Sequence, residues 1–230
     1  MTNKIILELP DKKKIIKEKV DFIQLNGENN IVRLKIESEE KFDNLKGLAI
    51  YVFGNNNNIK LGKISCPYNE AIGLTGLIIN IGTPPDEAFN MKRDANNCNI
   101  SIGDDVIICE ARLFLQESDT SINIGNECMI SWGIDIWCTD AHTITDLDGN
   151  PQNFSHSIEI GNHVWIGKDV KIGKNTKISD DSVVGWGSIV TRKFEQPNII
   201  IAGNPAKMVK ENINWNLRNL QNYQIYNKTR

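Results

Sequence analysis

The chain has 230 residues, 40% of them hydrophobic, and a formal net charge of −3. This length suffices for one sizeable core, and the weak charge, with no basic cluster beyond the lysines at 12–14, argues against a nucleic-acid or membrane-surface partner. No apolar run approaches the roughly 18 residues of a membrane span, and the N-terminal run is too short and too charged at its flanks for a signal peptide. We therefore expect a soluble, cytoplasmic protein without membrane insertion.

Cysteine usage agrees with that compartment. The five cysteines follow neither a CxxC pattern nor an even disulfide framework, and they stand at Cys66, Cys98, Cys109, Cys128 and Cys138. We interpret them as reduced thiols in the core or on the surface.

The N-terminal part, up to about residue 95, carries only fragments of a short repeat. Aliphatic residues alternate near Asn-rich stretches such as 55–58, and Asn tolerates positive φ better than other non-glycine residues. We interpret this part as irregular coils that begin between Val20 and Ile50.

Between about residues 100 and 194 the repeat is regular, with a period of six. Glycine follows four of the six aliphatic positions near the C-terminal end, which are Ile160, Ile166, Ile172, Ile178, Val184 and Val190. The same phase occurs upstream at Ile124, Ile130 and Ile136. Because each repeat must stack on the next to bury its apolar face, the pattern predicts an all-β parallel β-helix with three six-residue faces to a coil.

Two segments interrupt or end the repeat. The phase fails over 143–157, TITDLDGNPQNFSHS, which reads as a loop, and a long loop that leaves a regular solenoid is usually functional. We therefore predict one β-helix domain over 1–210, with an excursion at 143–157 and a short helical tail at 211–230.

Several motifs carry a family resemblance over about residues 100–209, and they are specific in NHVWIG (162–167), GSIVT (187–191) and AGNPAK (202–207). The chain resembles the hexapeptide-repeat acyltransferases, in particular the sugar O-acetyltransferases that modify capsule and lipopolysaccharide sugars. This resemblance implies a left-handed coil, acetyl-CoA as co-substrate, no metal, a carbohydrate acceptor and a homotrimer with its active sites between neighbours.

Acetyl transfer from a thioester to a hydroxyl needs a base for the hydroxyl proton, and histidine suits that role at neutral pH. Of the three histidines, His142 stands immediately before the excursion, where a family member carries its catalytic histidine. His156 lies in the excursion, and we interpret His163 as a turn former at a corner. We predict that His142 is the general base.

Two further residues are candidates beside His142. Asp140 stands two residues earlier, so in an extended segment its side chain points to the same side and can orient the imidazole; its alternative role is that of a solvated turn residue. The resemblance places Trp165 near the acetyl and acceptor pocket, across the subunit boundary, whereas packing against the loop base is the structural alternative. Cys138 raises the idea of a Cys–His nucleophile, but a thioester donor makes an acyl-enzyme unnecessary.

The last coils carry the predicted contacts to coenzyme A. Small residues with exposed amides suit the pantetheine arm, and cations suit its phosphates. The candidates are Lys168, Trp186, Gly187, Thr191, Arg192, Lys193 and Lys207. For Arg192 and Lys207 the alternative is ordinary solvated surface charge.

Three other functions fit the same repeat. The first is an N-acetyltransferase of an amino sugar or nucleotide sugar, which the scaffold can host. The second is a zinc protein resembling γ-carbonic anhydrase, but this needs three convergent histidines, and the family's histidine spacing is absent. The third is a non-catalytic scaffold, against which the histidine and the coenzyme A motifs count.

Overall fold

The computed structural model describes residues 2–43, 45–65, 76–86 and 91–228, so Cys66 lies outside the described residues. Over these ranges the chain winds through three long sheets, and each regular coil contributes one strand to each sheet in the same order. The stack of coils runs from the N-terminal strand to the last hairpin.

The first sheet has nine strands, which in spatial order are β2 (Lys14–Lys17), β1 (Lys4–Glu8), β4 (Ile31–Lys35), β6 (Asn58–Leu61), β11 (Asn99–Ile102), β14 (Ser121–Ile124), β17 (Ile158–Ile160), β20 (Lys177–Ile178) and β23 (Lys193–Phe194). The second sheet has seven, which are β7 (Ile64–Ser65), β12 (Val106–Ile108), β15 (Met129–Ile130), β18 (Trp165–Ile166), β21 (Val183–Val184), β24 (Ile200–Gly203) and β25 (Ala206–Lys210).

The third sheet also has seven strands, which are β3 (Ile23–Asn26), β5 (Leu48–Phe53), β8 (Leu77–Ile81), β13 (Ala111–Leu115), β16 (Ile134–Trp137), β19 (Lys171–Ile172) and β22 (Ile189–Val190). A small antiparallel pair, β9 (Thr83–Asp86) and β10 (Met91–Arg93), and two helices, α1 (Glu39–Asp43) and α2 (Leu220–Lys228), complete the described elements.

The six-residue period explains the core. The buried aliphatic of one hexad pairs with its equivalent 18 residues later, as in Ile160 with Ile178, Ile166 with Val184 and Ile172 with Val190. All six side chains are at most 4% exposed, and full burial of such a side chain contributes about 1.5–3 kcal/mol. The predicted all-β parallel architecture is therefore confirmed.

Left-handed backbone conformations mark the corners between hexads. The residue three positions before the buried aliphatic of a hexad has a φ between 51° and 60° in five hexads. These residues are Glu127, His163, Asp169, Asn175 and Asp181. Such a φ costs roughly 1–2 kcal/mol for an L-residue and is tolerated best by short polar side chains. The prediction that His163 forms a corner is confirmed.

The parallel stack begins earlier than the sequence predicted. Strand β1 already pairs in parallel with β4, so the coils start at Lys4 and not between Val20 and Ile50. The alternation in β1 buries Ile5 and Leu7, and β2 pairs antiparallel with β1 and covers its open edge. An irregular repeat hides this start because alternation over five residues carries no six-residue period.

The C-terminal tail runs back along the outside of the coils before it becomes helical. Its Ile213 exchanges hydrogen bonds with Asn198, and the indole N–H of Trp215 donates to the carbonyl of His163 at 2.7 Å. The helix predicted for the tail is present as α2, which begins at Leu220. Over the described ranges, no helix combines the length and apolarity needed to cross a membrane.

Candidate active site

The excursion occupies the corner where the chain passes from the third sheet to the first. Strand β16 ends at Trp137 and β17 begins at Ile158. Ile124 pairs with Ile160, which lies 36 residues later, whereas the next pairing on the same sheet spans 18. The excursion thus inserts as many residues as one coil contains without adding a coil to the stack. His142 stands at the point where the excursion leaves the stack.

The backbone at His142 is held in a strained turn. Ala141 has a φ of 63°, which costs an alanine roughly 1–2 kcal/mol, and the amide of His142 donates to the carbonyl of Asp140 at 2.8 Å. The buried hydroxyl of Thr139 accepts from the amide of Ala141 and donates to the carboxylate of Glu117, each at 2.9 Å. Such strain persists only where the surroundings enforce it, so the backbone at this turn is fixed. The side chain of His142 is exposed.

A second network, the Lys174 clamp, closes the base of the excursion. The ammonium of Lys174 donates to the carboxylate of Asp140 at 2.5 Å and to the carbonyl of Asn153 at 2.7 Å. The side-chain amide of Asn153 donates to the same carboxylate and to the carbonyl of His142, both at 2.8 Å, and accepts from the amide of Ile144 at 2.7 Å. The two arms of the excursion are thereby joined at the residue that carries the imidazole.

Asp140 has a different set of partners from the one predicted. Its carboxylate is engaged by Lys174 and Asn153, and these hydrogen bonds, with that of Lys174 the stronger cause, hold the pKa of Asp140 below its ordinary value. The carboxylate therefore acts on His142 through the backbone clamp, and none of the hydrogen bonds found among the described residues joins it to the imidazole.

Trp165 lies on another face. It is half-buried on β18 in the second sheet, and its indole nitrogen is buried without a hydrogen-bond partner among the described residues. Trp215 of the tail contacts its ring at 6.0 Å between centroids and stacks on His163 at 4.4 Å. Within one chain, Trp165 and His142 thus belong to different faces of the β-helix.

The other two histidines are placed differently. His163 has its Nδ1 atom 2.8 Å from a carboxylate oxygen of Asp181. His156 is exposed in the excursion, and its backbone amide donates a hydrogen bond to the carbonyl of Cys138. In the part of the chain that the structure describes, no three His, Cys, Asp or Glu side chains converge as metal ligands.

Cys138 does not have the surroundings of a nucleophile. It is fully buried, and burial raises the pKa of its thiol to about 12, so the reactive thiolate is not formed at neutral pH. The four described cysteines, Cys98, Cys109, Cys128 and Cys138, are all free and buried, so these four belong to the core.

The predicted coenzyme A residues fall into separate groups. Thr191, Arg192 and Lys193 follow β22, at the same third-to-first corner as His142. Arg192 lies 5.1 Å from the centroid of the Phe194 ring, and all three cofactor candidates of this corner are exposed.

The remaining candidates lie at the corner that follows the second sheet or on the edge strand of that sheet. Lys168 and Gly187 share the second-to-third corner, where the amide of Gly187, with a φ of 65°, donates to the carbonyl of Lys168 at 2.9 Å. Trp186, at this corner, is 74% exposed, and Lys207 is exposed on the edge strand β25. One chain therefore does not bring these two groups of residues together.

Sequence reasoning missed Lys174, Asn153, Thr139 and Glu117. A signal for Lys174 does exist, since the 36-residue offset that pairs Ile136 with Ile172 puts it just past the same corner. The excursion residue Asn153 and the corner residue Glu117 have no periodic signal.

Comparisons with known proteins decide the family. A polysialic acid O-acetyltransferase of Neisseria meningitidis is 32% identical over 168 residues, which span 71% of this chain and 77% of that protein. The chain belongs to the sugar O-acetyltransferase family. Galactoside O-acetyltransferase of Escherichia coli (strain K12) is 37% identical over 93 residues, so the match spans 40% of this chain and 45% of that enzyme's length. No family model matches the chain.

Two solved structures of polysialic acid acetyltransferases show the same fold over nearly the whole chain. The polySia-specific acetyltransferase NeuO superposes with a TM-score of 0.59 at 21% identity, covering 99% of this chain and 94% of its own. The polysialic acid O-acetyltransferase OatWY gives a TM-score of 0.56 at 21% identity and covers 99% and 98%. The left-handed hexapeptide-repeat β-helix, expected from resemblance alone, is thereby confirmed.

Proposed function

We propose that this enzyme transfers the acetyl group of acetyl-CoA to a hydroxyl of a carbohydrate, with His142 as general base. One observation carries the proposal: an exposed imidazole stands on a backbone fixed by two hydrogen-bond networks, at the point where a long excursion leaves a rigid corner. A positioned base next to a segment that can cover an acceptor is the arrangement that this transfer requires.

The chemistry follows a single ternary complex. The neutral imidazole of His142 accepts the proton of the acceptor hydroxyl while that oxygen bonds to the thioester carbonyl carbon. The tetrahedral intermediate then collapses, the carbon–sulfur bond breaks, and the protonated imidazole returns the proton to the departing sulfur. A positioned base of this kind contributes about 10²- to 10⁴-fold in rate.

Coenzyme A is held by residues of two corners in this proposal. Arg192, Lys193 and Lys207 supply cations for its phosphates, while Lys168, Thr191 and the Trp186–Gly187 pair border the remainder. Exposed cations and an exposed indole fit the phosphates and the remainder of coenzyme A. Within one chain, however, these residues lie at different corners of the β-helix. This separation supports a groove formed by two copies.

The same reasoning supports a homotrimer. Trp165 on the second sheet reaches the acetyl group at His142 only if it comes from a neighbouring copy, and contacts that close into a ring are allowed for identical subunits. A ring of three follows the family resemblance. We also propose a cytoplasmic location, which the free thiols support.

The acceptor proposed is a sugar of a capsule, lipopolysaccharide or related glycan. The names of the relatives, polysialic acid and galactoside O-acetyltransferases, support a carbohydrate. We expect attack by oxygen rather than by nitrogen, because both of these relatives are O-acetyltransferases.

The test is a panel of acceptors incubated with acetyl-CoA: polysialic acid and the methyl glycosides of galactose, glucose, glucosamine and sialic acid. We expect thiol release that depends on one acceptor, and a product whose acetyl group is removed by mild base, as an ester is. An acetyl group that survives mild base identifies an amide and contradicts O-acetylation, and the absence of transfer to every acceptor contradicts the proposed function.

A further inference from the structure

The C-terminal tail is attached to the corner between the first and second sheets. Of residues 207–220, all of which lie within the described ranges, only Ile213 and Trp215 are partly buried. Ile213 exchanges hydrogen bonds of 3.0 Å with Asn198, and Trp215 binds His163, which lies at the same corner of an earlier coil. These contacts determine the course of the tail over the coils.

His163 fixes both the position and the plane of the Trp215 ring. The two rings stack at 4.4 Å between centroids and 13° between planes, and the indole N–H of Trp215 donates to the His163 carbonyl at 2.7 Å. The imidazole is itself held by Asp181 of the next coil, whose carboxylate lies 2.8 Å from Nδ1. An indole that is stacked and hydrogen-bonded at the same time is held in one orientation.

Trp215 is in turn the aromatic neighbour of Trp165. Their ring centroids lie 6.0 Å apart with 43° between planes, inside the range of about 4.5–7 Å for aromatic pairs. On the second sheet Trp165 pairs with Met129 and Val183, and its indole nitrogen is buried without a hydrogen-bond partner in the described part of the chain. The orientation of Trp165 therefore depends on packing, and its ring, not its N–H, is the part that can meet a ligand.

We propose that Trp215 is a positioning residue for Trp165, and that the tail thereby orients the ring which one copy contributes to the active site at His142 of its neighbour. The inference rests on the proposed function. Trp215 stands outside the hexads and outside the NHVWIG motif, so neither of them assigns it a role. Loss of its ring leaves Trp165 free to turn, and a displacement of about 1 Å in such a contact lowers the rate of transfer by up to roughly 100-fold.

The test asks which variants complement Trp215→Ala. With the acceptor that the wild type uses from the panel, Trp215→Ala should lower kcat/KM roughly tenfold or more. Co-expression with His142→Ala should return the activity to about a quarter of wild type, because random mixing leaves that fraction of the shared sites intact. Co-expression with Trp165→Ala should give no recovery, since both changes damage the same side of the site. A general loss of folding does not separate the two partners in this way.

Two further variants serve as controls for the tail. Trp215→Phe keeps an aromatic ring on His163 and beside Trp165 and removes only the N–H group, so it should retain most of the activity. Leu217→Ala changes a residue of the same tail that is 59% exposed, and it should behave as the wild type. The pair of His142→Ala with Trp165→Ala is the positive control for complementation.

Three results would overturn the positioning role. They are wild-type activity in Trp215→Ala or in Trp165→Ala, recovery when these two variants are combined, and no recovery of Trp215→Ala by His142→Ala. Each is measured against an active wild type, so the proposed transfer stands in all three. If the wild type acetylates no acceptor of the panel, the proposed function and the positioning role fail together.

Discussion

Lys174 makes two hydrogen bonds to the base of the excursion, and both end on groups that fix His142. It comes from the next coil, its side chain is 19% exposed, and it is the cation that neutralises Asp140. The imidazole itself is exposed, so its position depends on this backbone clamp more than on contacts of its own. Loss of the clamp should therefore affect the rate of transfer more than cofactor binding.

We expect Lys174→Gln to lower kcat roughly 10- to 100-fold, since a shift of about 1 Å in a catalytic group has effects of this size. KM for acetyl-CoA should be unchanged, and amide hydrogen exchange at Ile144, whose N–H is bound by Asn153, should accelerate. Lys177→Gln is the matched control: it removes the same charge three residues away, from ion pairs with Glu159 and Glu195.

Equal kcat values in the two lysine variants would contradict a positioning role for Lys174. Faster exchange with unchanged kcat would mean that the clamp orders the excursion without positioning the base.

The pH dependence of the Lys174 clamp has a definite sign as well. Because the pKa of Asp140 is lowered in the fold, the clamp is complete above the ordinary aspartate pKa and is lost only as the pH falls through the lowered value.

The cationic residues make a separate prediction. Arg192→Ala and Lys207→Ala should each raise KM for acetyl-CoA several-fold and leave kcat nearly intact, because contacts to remote phosphates stabilise ground and transition states alike. Initial rates over a range of acetyl-CoA concentrations measure this, with a donor that lacks the 3′-phosphate as the comparison. An unchanged KM in both variants would make these residues ordinary surface charges.

At the scale of elements, the regular coils could be predicted because each hexad obeys one local rule. An aliphatic residue that faces inward every six positions, with a corner residue between, determines strands such as β18 to β22 and their pairing. The excursion was found by the failure of the same rule. The parallel coils of about residues 100–194 could therefore be predicted from the period alone, whereas their handedness came from the family resemblance.

The features missed by sequence reasoning depend on contacts between coils. The Lys174 clamp and the packing of Trp215 on His163 each join residues from different coils or from the tail. Their geometry follows from the stacking offset and from loop conformations that no short period specifies. His142 itself was found by its position before the excursion, which is a property of the sequence.

At the scale of the whole molecule, the separation of Trp165 from His142 on one chain makes a prediction about assembly. The chain has a mass of 25.9 kDa, and light scattering should give about three times this value, since identical subunits favour closed rings. Co-expression of His142→Ala with Trp165→Ala should restore part of the activity that each variant lacks, because mixed rings contain intact sites. A fully active monomer, or no recovery on mixing, would contradict shared sites.

The most direct measurement is kcat of His142→Ala at saturating acetyl-CoA, beside His156→Ala and His163→Ala, with the fold of each checked by circular dichroism. The account predicts a loss of about 10²- to 10⁴-fold for His142→Ala, nearly unchanged binding of acetyl-CoA, and much smaller losses for the other two. Retention of more than about a tenth of the wild-type kcat by His142→Ala would contradict its role as the general base.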